Sequence, residues 1–221
     1  MGKNASRILC LLFGLGLLPV AGIAGVIQGT VRAVGANAVP SPAGGGRPAA
    51  MKSSRASAMD DVIYLEEIPL ALEKKLAKQN KGQSAARIAQ RGGLFFPSVL
   101  PVAIGTTVTF ENRDHVYHNV FSVSPTKQFD VGKYAPHETR QVTFDRPGLV
   151  TVFCDIDPNE TGAVLVTPNH AFTRPDSTGS FWLPKLPPGK YTLCVWSPLN
   201  GKRSQAVEMP RHGNLSLTLG L

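Results

Sequence analysis

From residue 86 onward the chain is a succession of short runs in which apolar and polar residues alternate, at 86–90, 94–102, 105–112, 120–123, 140–144, 149–153 and 163–166. Gly, Pro, Asn or Asp closes each run. A side-chain period of two belongs to strands with one buried face, and frequent turn residues fold such strands back on one another. The runs therefore predict an all-β, antiparallel sandwich with Val108 and Phe110 facing its core. Two strand-like runs stand upstream. In 26–31, Ile27, Gly29 and Val31 share one face, and 62–65 is rich in β-branched and aromatic residues. Between them and the main series, Leu70, Leu72 and Leu76 lie among Glu and Lys, which predicts one modest helix within 69–83.

Composition divides the rest. Lys3 and Arg7 precede an apolar run from Ile8 to Val20 and a small-residue patch at 21–25, the build of a cleaved secretory signal over residues 1–24. The run is shorter than the roughly 20 residues needed to span a bilayer, so no integral membrane segment is expected after cleavage. A periplasmic or secreted location follows as the expectation. Residues 33–57, rich in Ala, Gly, Pro and Ser, predict a long flexible loop. The formal charge is +8; two of the 23 Lys and Arg and none of the 15 Asp and Glu lie in 1–24, leaving +6. The basic residues are not interleaved with aromatics as a single-strand binder requires, so nucleic acid is not an expected partner. A redox protein or another envelope protein is.

Cys154 and Cys194 remain after export, in a compartment where a disulfide between them has to be considered. No nucleophile elbow, paired-His helix, phosphate loop or dinucleotide fingerprint occurs, and no enzyme activity is expected.

The segment from about Gly92 to Thr167 resembles a plastocyanin-like cupredoxin of the methylamine-utilisation type. The resemblance rests on Phe96-Pro97, on 105–110, on 112–122 with His118 in the ligand place, and on Phe144-Asp145-Arg146-Pro147-Gly148 leading into Phe153-Cys154-Asp155-Ile156. It implies a Greek-key sandwich with a mononuclear copper site. The flanks are similar to a carboxypeptidase-regulatory or transthyretin-like sandwich, through 176–196 and through Ile27 to Val31 and Val62 to Glu66. Together they imply one β-domain inserted in, or adjacent to, another. Residues 25–82 and 168–221 would be the two parts of the transthyretin-like sandwich, and 83–167 the cupredoxin-like domain.

In the family's short loop a Cys is followed, after two intervening residues, by His and, after two more, by Met. Here that frame holds Cys154, Asp157 and Glu160. The resemblance thus implies His118, Cys154, Asp157 and Glu160 as the ligand set, with hard carboxylate oxygens replacing an imidazole and a thioether. Such oxygens favour oxidised copper, zinc or manganese over cuprous ion and should lower a reduction potential. Three readings stand: a variant copper site serving electron transfer, a metal-free sandwich with a degenerate site, and a site for another divalent ion such as zinc. His115, His137 and His170 are expected as exposed loop histidines, and Asp114 and Asp155 as loop acids.

Overall fold

The computed structural model describes residues 23–32, 60–80 and 86–220. The expected signal over 1–24 lies almost wholly outside the described residues, and the expected loop at 33–57 does so entirely.

Among the described residues the chain is all-β apart from one helix, and its strands form two sandwiches. In the first, one sheet runs in the order β4 (Phe95–Phe96), β3 (Arg87–Gln90), β6 (Thr106–Asn112), β9 (Thr139–Phe144). The facing sheet runs β5 (Val99–Ala103), β11 (Thr161–Thr167), β10 (Gly148–Cys154), β7 (Val120–Ser124), β8 (Lys127–Asp130). Ile88, Val108, Phe110, Val120, Phe144, Val150, Val152 and Val164 are fully buried between the two sheets. The alternation seen in the sequence accounts for this: Val108 and Phe110 of β6, and Val150 and Val152 of β10, point inward. Cys154 continues the inward series of β10, so the strand itself delivers the thiol to one end of the core.

The second sandwich pairs a sheet ordered β13 (Ser180–Trp182), β1 (Ile27–Arg32), β16 (Leu215–Gly220) with one ordered β12 (Phe172–Thr173), β2 (Val62–Leu65), β14 (Gly189–Ser197), β15 (Gly201–Met209). Strands β1 and β2 come before the first sandwich in the chain and the others after it, so the first sandwich interrupts the second. Ile27, Ile63, Leu65, Phe181, Leu186 and Leu193 form the centre of this core. The helix α1 (Leu70–Asn80) lies against it through Leu76 and Leu72. Its bounds fall inside the predicted 69–83, with 81–85 outside the described residues.

A third apolar cluster joins the sandwiches: Val62, Tyr64, Cys194 and Trp196 from one meet Val99, Ala163 and Leu165 from the other. Polar groups brace this junction. Arg174 reaches the Val99 carbonyl at 3.0 Å and Asp60 at 3.1 Å, and the Asn169 amide donates to the Leu65 carbonyl at 2.9 Å. His170, expected as a surface loop residue, is held instead by Glu73 of α1 at 2.6 Å. Cys154 and Cys194 are both buried and both free thiols, since one ends the core of the first sandwich and the other lies in the junction. Trp182 is 55% exposed between the buried Phe181 and Leu183, as alternation along a strand requires.

Candidate metal centre

Three separate pieces of chain bring their donors to one point at the end of the first sandwich. His118 stands just before β7 and is locked in place by a reciprocal backbone pair with Tyr134, His118 N–H to the Tyr134 carbonyl at 3.2 Å and the reverse at 2.9 Å. Cys154 closes β10. Glu160 is turned back toward it by a tight loop in which the Cys154 N–H donates to the Glu160 carbonyl at 3.2 Å and the Glu160 N–H to the Asp157 carbonyl at 3.0 Å.

The His118 Nδ1 lies 3.5 Å from Cys154 Sγ and 3.2 Å from a Glu160 carboxylate oxygen. The donor atoms of all three residues fall within 4.8 Å of one another. His118 is 3% exposed, Cys154 2% and Glu160 0%. Asp157 is not among them. One of its oxygens accepts from the Asn159 backbone N–H at 3.0 Å, which makes it the turn residue of the loop, and the other lies against Gly93. The structure therefore gathers three of the four residues expected from sequence.

The other imidazole nitrogen is already taken. His118 Nε2 lies 3.0 Å from the Asp114 carboxylate. Burial of Asp114 works to raise its pKa, but hydrogen bonds from Gly92, His118 and Gly93 outweigh it and hold the carboxyl below its usual range. The Gly92 N–H reaches Asp114 at 2.7 Å from a turn in which Gly92 and Gly93 both have positive φ, 62° and 70°, a conformation that side chains rarely adopt. An ionised carboxylate can only accept, so the Asp114 contact calls for a proton on His118 Nε2 and leaves Nδ1 as the ring nitrogen that faces Cys154 and Glu160. A carboxylate that fixes the tautomer and orientation of a ligating histidine is the arrangement that raises its basicity toward a metal.

Glu160 is supported from below. Gln90 donates to it at 2.9 Å, and the Tyr134 hydroxyl donates in turn to the Gln90 carbonyl oxygen. The other oxygen of Glu160 is buried with no hydrogen-bond partner among the described residues. Burial pushes the Glu160 carboxyl above its ordinary value, against the Gln90 amide, His118 and Cys154, while the charge of Asp157 adds to the rise. Tyr134 is likewise held well above the ordinary phenol value by burial, with Glu160 and Cys154 contributing.

The donors fit a metal ion. Two ligands at about 2.0–2.3 Å from a tetrahedral ion stand roughly 3.3–3.8 Å apart, close to the 3.5 and 3.2 Å that separate His118 Nδ1 from Cys154 Sγ and the Glu160 oxygen. Thiolate, imidazole and carboxylate together suit copper or zinc.

Sequence reasoning had assigned Asp114 to the loop and had given Gln90 and Tyr134 no part. The signal for Asp114 was its place four residues before His118, within reach of the same ring. Gln90 carried a weaker signal, as a polar residue ending a run that is buried on both sides of the strand; it is 0% exposed.

No protein-family model and no curated protein sequence matches this chain. Solved structures do. A novel purple cupredoxin from Nitrosopumilus maritimus is 26% identical over 37% of this chain and 99% of its own, with a TM-score of 0.34. A Cu-containing nitrite reductase from Thermus scotoductus SA-01 is 28% identical over 38% of this chain, with a TM-score of 0.36, and the match spans only 22% of that enzyme. An oxidised mutant of amicyanin is 24% identical over 38% of this chain and 84% of its own, also with a TM-score of 0.36.

Proposed function

We propose that the protein is an exported metal-binding module whose centre is copper, held by His118 Nδ1, Cys154 Sγ and a Glu160 carboxylate oxygen. The observation that carries this reading is the convergence of three buried Lewis bases with His118 Nε2 already committed to Asp114. An imidazole nitrogen, a sulfur and a carboxylate that face one another are the donors a cation between them would satisfy together. A proton on Glu160 serves for one contact; a metal ion serves all three and also gives the unpartnered Glu160 oxygen a ligand. Among divalent ions of the first row, copper binds such N, O and S donors most tightly.

A bound copper ion would supply one-electron chemistry. Because every converging residue is at most 3% exposed, no substrate reaches the centre, which favours a binding or electron-transfer role over an enzyme. The carboxylate of Glu160, a hard ligand, favours the oxidised ion, so the module works at low potential. A redox partner in the cell envelope or outside the cell is the corresponding expectation.

The test is metal content of the purified protein, followed by titration with copper and zinc under visible and paramagnetic spectroscopy. One equivalent of copper giving a thiolate charge-transfer band is expected at the buried centre. A zinc-only protein would replace the ion but keep the site, whereas metal uptake that does not depend on Cys154, or no uptake at micromolar metal, would sink the reading in favour of a protonated Glu160 and a purely structural sandwich.

A further inference from the structure

The rim of the same sandwich end carries two exposed histidines whose rings meet. His115 and His137 have ring centroids 6.1 Å apart with an interplanar angle of 77°. Neither ring makes a hydrogen bond to another described residue, and both are exposed. They come from different loops, yet the loops are tied by one buried side chain. Asn112, 1% exposed, donates to the Val116 carbonyl at 2.8 Å and the Tyr134 carbonyl at 3.3 Å, and its carbonyl oxygen accepts from the Asp114 N–H at 3.0 Å. Its backbone carbonyl accepts from the His137 N–H at 2.9 Å. A single residue thus brackets His115 on one side and anchors His137 on the other.

His137 itself has φ of 66°, and among the described residues no other non-glycine residue has a positive φ. A β-substituted residue in that region is strained relative to glycine, so the imidazole sits at this turn at some cost in stability. The ring separation also matches two imidazoles that share one ion from opposite sides. A bond of about 2.0 Å from each nitrogen to an ion, plus roughly 1 Å from nitrogen to ring centre, spans about 6 Å when the two bonds open toward a line.

We propose that His115 and His137 form a second, solvent-exposed metal site that takes a copper ion through two neutral imidazoles. Imidazole is a good ligand for copper, zinc and nickel alike, and copper heads that series. The site is distinct from the buried centre. It shares no ligand with it, although Asp114, which holds His118, is the chain neighbour of His115.

The experiment uses the purified protein carrying Cys154→Ser, which removes the sulfur of the buried centre, titrated with cupric ion and followed by electron paramagnetic resonance. One equivalent should remain bound with nitrogen couplings from two imidazoles, and His115→Ala or His137→Ala should each weaken it at least tenfold. His137→Gly should abolish the site while raising thermal stability, because it relieves the positive φ, so loss of copper cannot be ascribed to unfolding. Unchanged copper binding in these variants would overturn the proposal, as would a Cys154→Ser protein that binds none. With Cys154 intact, the same histidine variants should keep the thiolate band of the buried centre, so the two sites succeed or fail independently.

Discussion

Cys154 and Cys194 are almost equally hidden, at 2% and 0% exposure, but they lie in opposite surroundings. Cys154 ends β10 where the sandwich core gives way to an imidazole lone pair and a carboxylate. Cys194 lies in mid-strand, in the apolar seam between the two sandwiches, among Val62, Tyr64, Val99 and Trp196. Burial raises the thiol of Cys194 to about 11, with Glu66 adding to the rise and Lys202 opposing it. Burial alone therefore makes an inert thiol. What makes a candidate ligand is burial at the end of a sheet, where loops can bring other donors to the same point.

The largest effect that would break this comparison is on copper affinity. At the buried centre Cys154→Ser should weaken copper binding by about 1000-fold, roughly 4 kcal/mol, while Cys194→Ser leaves it within a factor of two, by isothermal titration of protein that also carries His115→Ala and His137→Ala. Equal effects would mean the two thiols are not distinguished by their settings. Next comes stability. Trp196→Ala removes a large side chain from the seam around Cys194 and should cost about 3 kcal/mol in denaturant unfolding, with the copper stoichiometry unchanged.

The alkaline limb of stability follows. A thiol whose folded value is raised binds its proton more tightly in the native state, so its contribution is present below the unfolded value of 9.0 and is lost as pH rises through about 11. Between those values the wild type should lose up to about 2 kcal/mol that Cys194→Ala does not lose. Chemical unfolding at stepped pH measures the difference. For the same reason iodoacetamide at pH 8 should leave Cys194 unlabelled in the native protein. The smallest effect tests the ring behind Cys154: Asp114→Asn keeps the shape but not the charge that orients His118, and copper affinity should fall about tenfold.

Much of the first sandwich was legible because its strands bury one face each. Val108, Phe110, Val150 and Val152 alternate in sequence as they alternate in space, and Cys154 follows the same beat. The second sandwich was harder to read at its far edge. Strand β15 exposes its first six residues, so it carries no period of two over most of its length. In the first sandwich the edge strand β8 gave as little to read, being only four residues of mixed polarity. The candidate centre was legible as a spacing of residue types, which identifies who stands in the loop but not where each side chain points. Asp157 and Glu160 look equivalent in the sequence; the turn geometry spends Asp157 on the Asn159 N–H and sends Glu160 inward. Gln90 and Tyr134 contribute through contacts 70 and 44 residues apart along the chain, a separation at which periodicity conveys nothing.

The pairing of β1 with β16 runs parallel from Ile27 against Leu215 to Arg32 against Gly220. For folding, this places the first and last of the described strands in one hydrogen-bonded step, with the whole first sandwich made in between. The loop that this step closes is among the longest the chain can form, and closure of long loops is slow. The first sandwich, whose strand partners all lie between residues 87 and 167, has its complete set of pairings as soon as Thr167 emerges. Strand β1 finds its first partner, β13, only after Ser180 to Trp182 are made, and its second, β16, later still. The inserted unit thus matures first, and its metal centre is assembled before the outer sandwich around it closes.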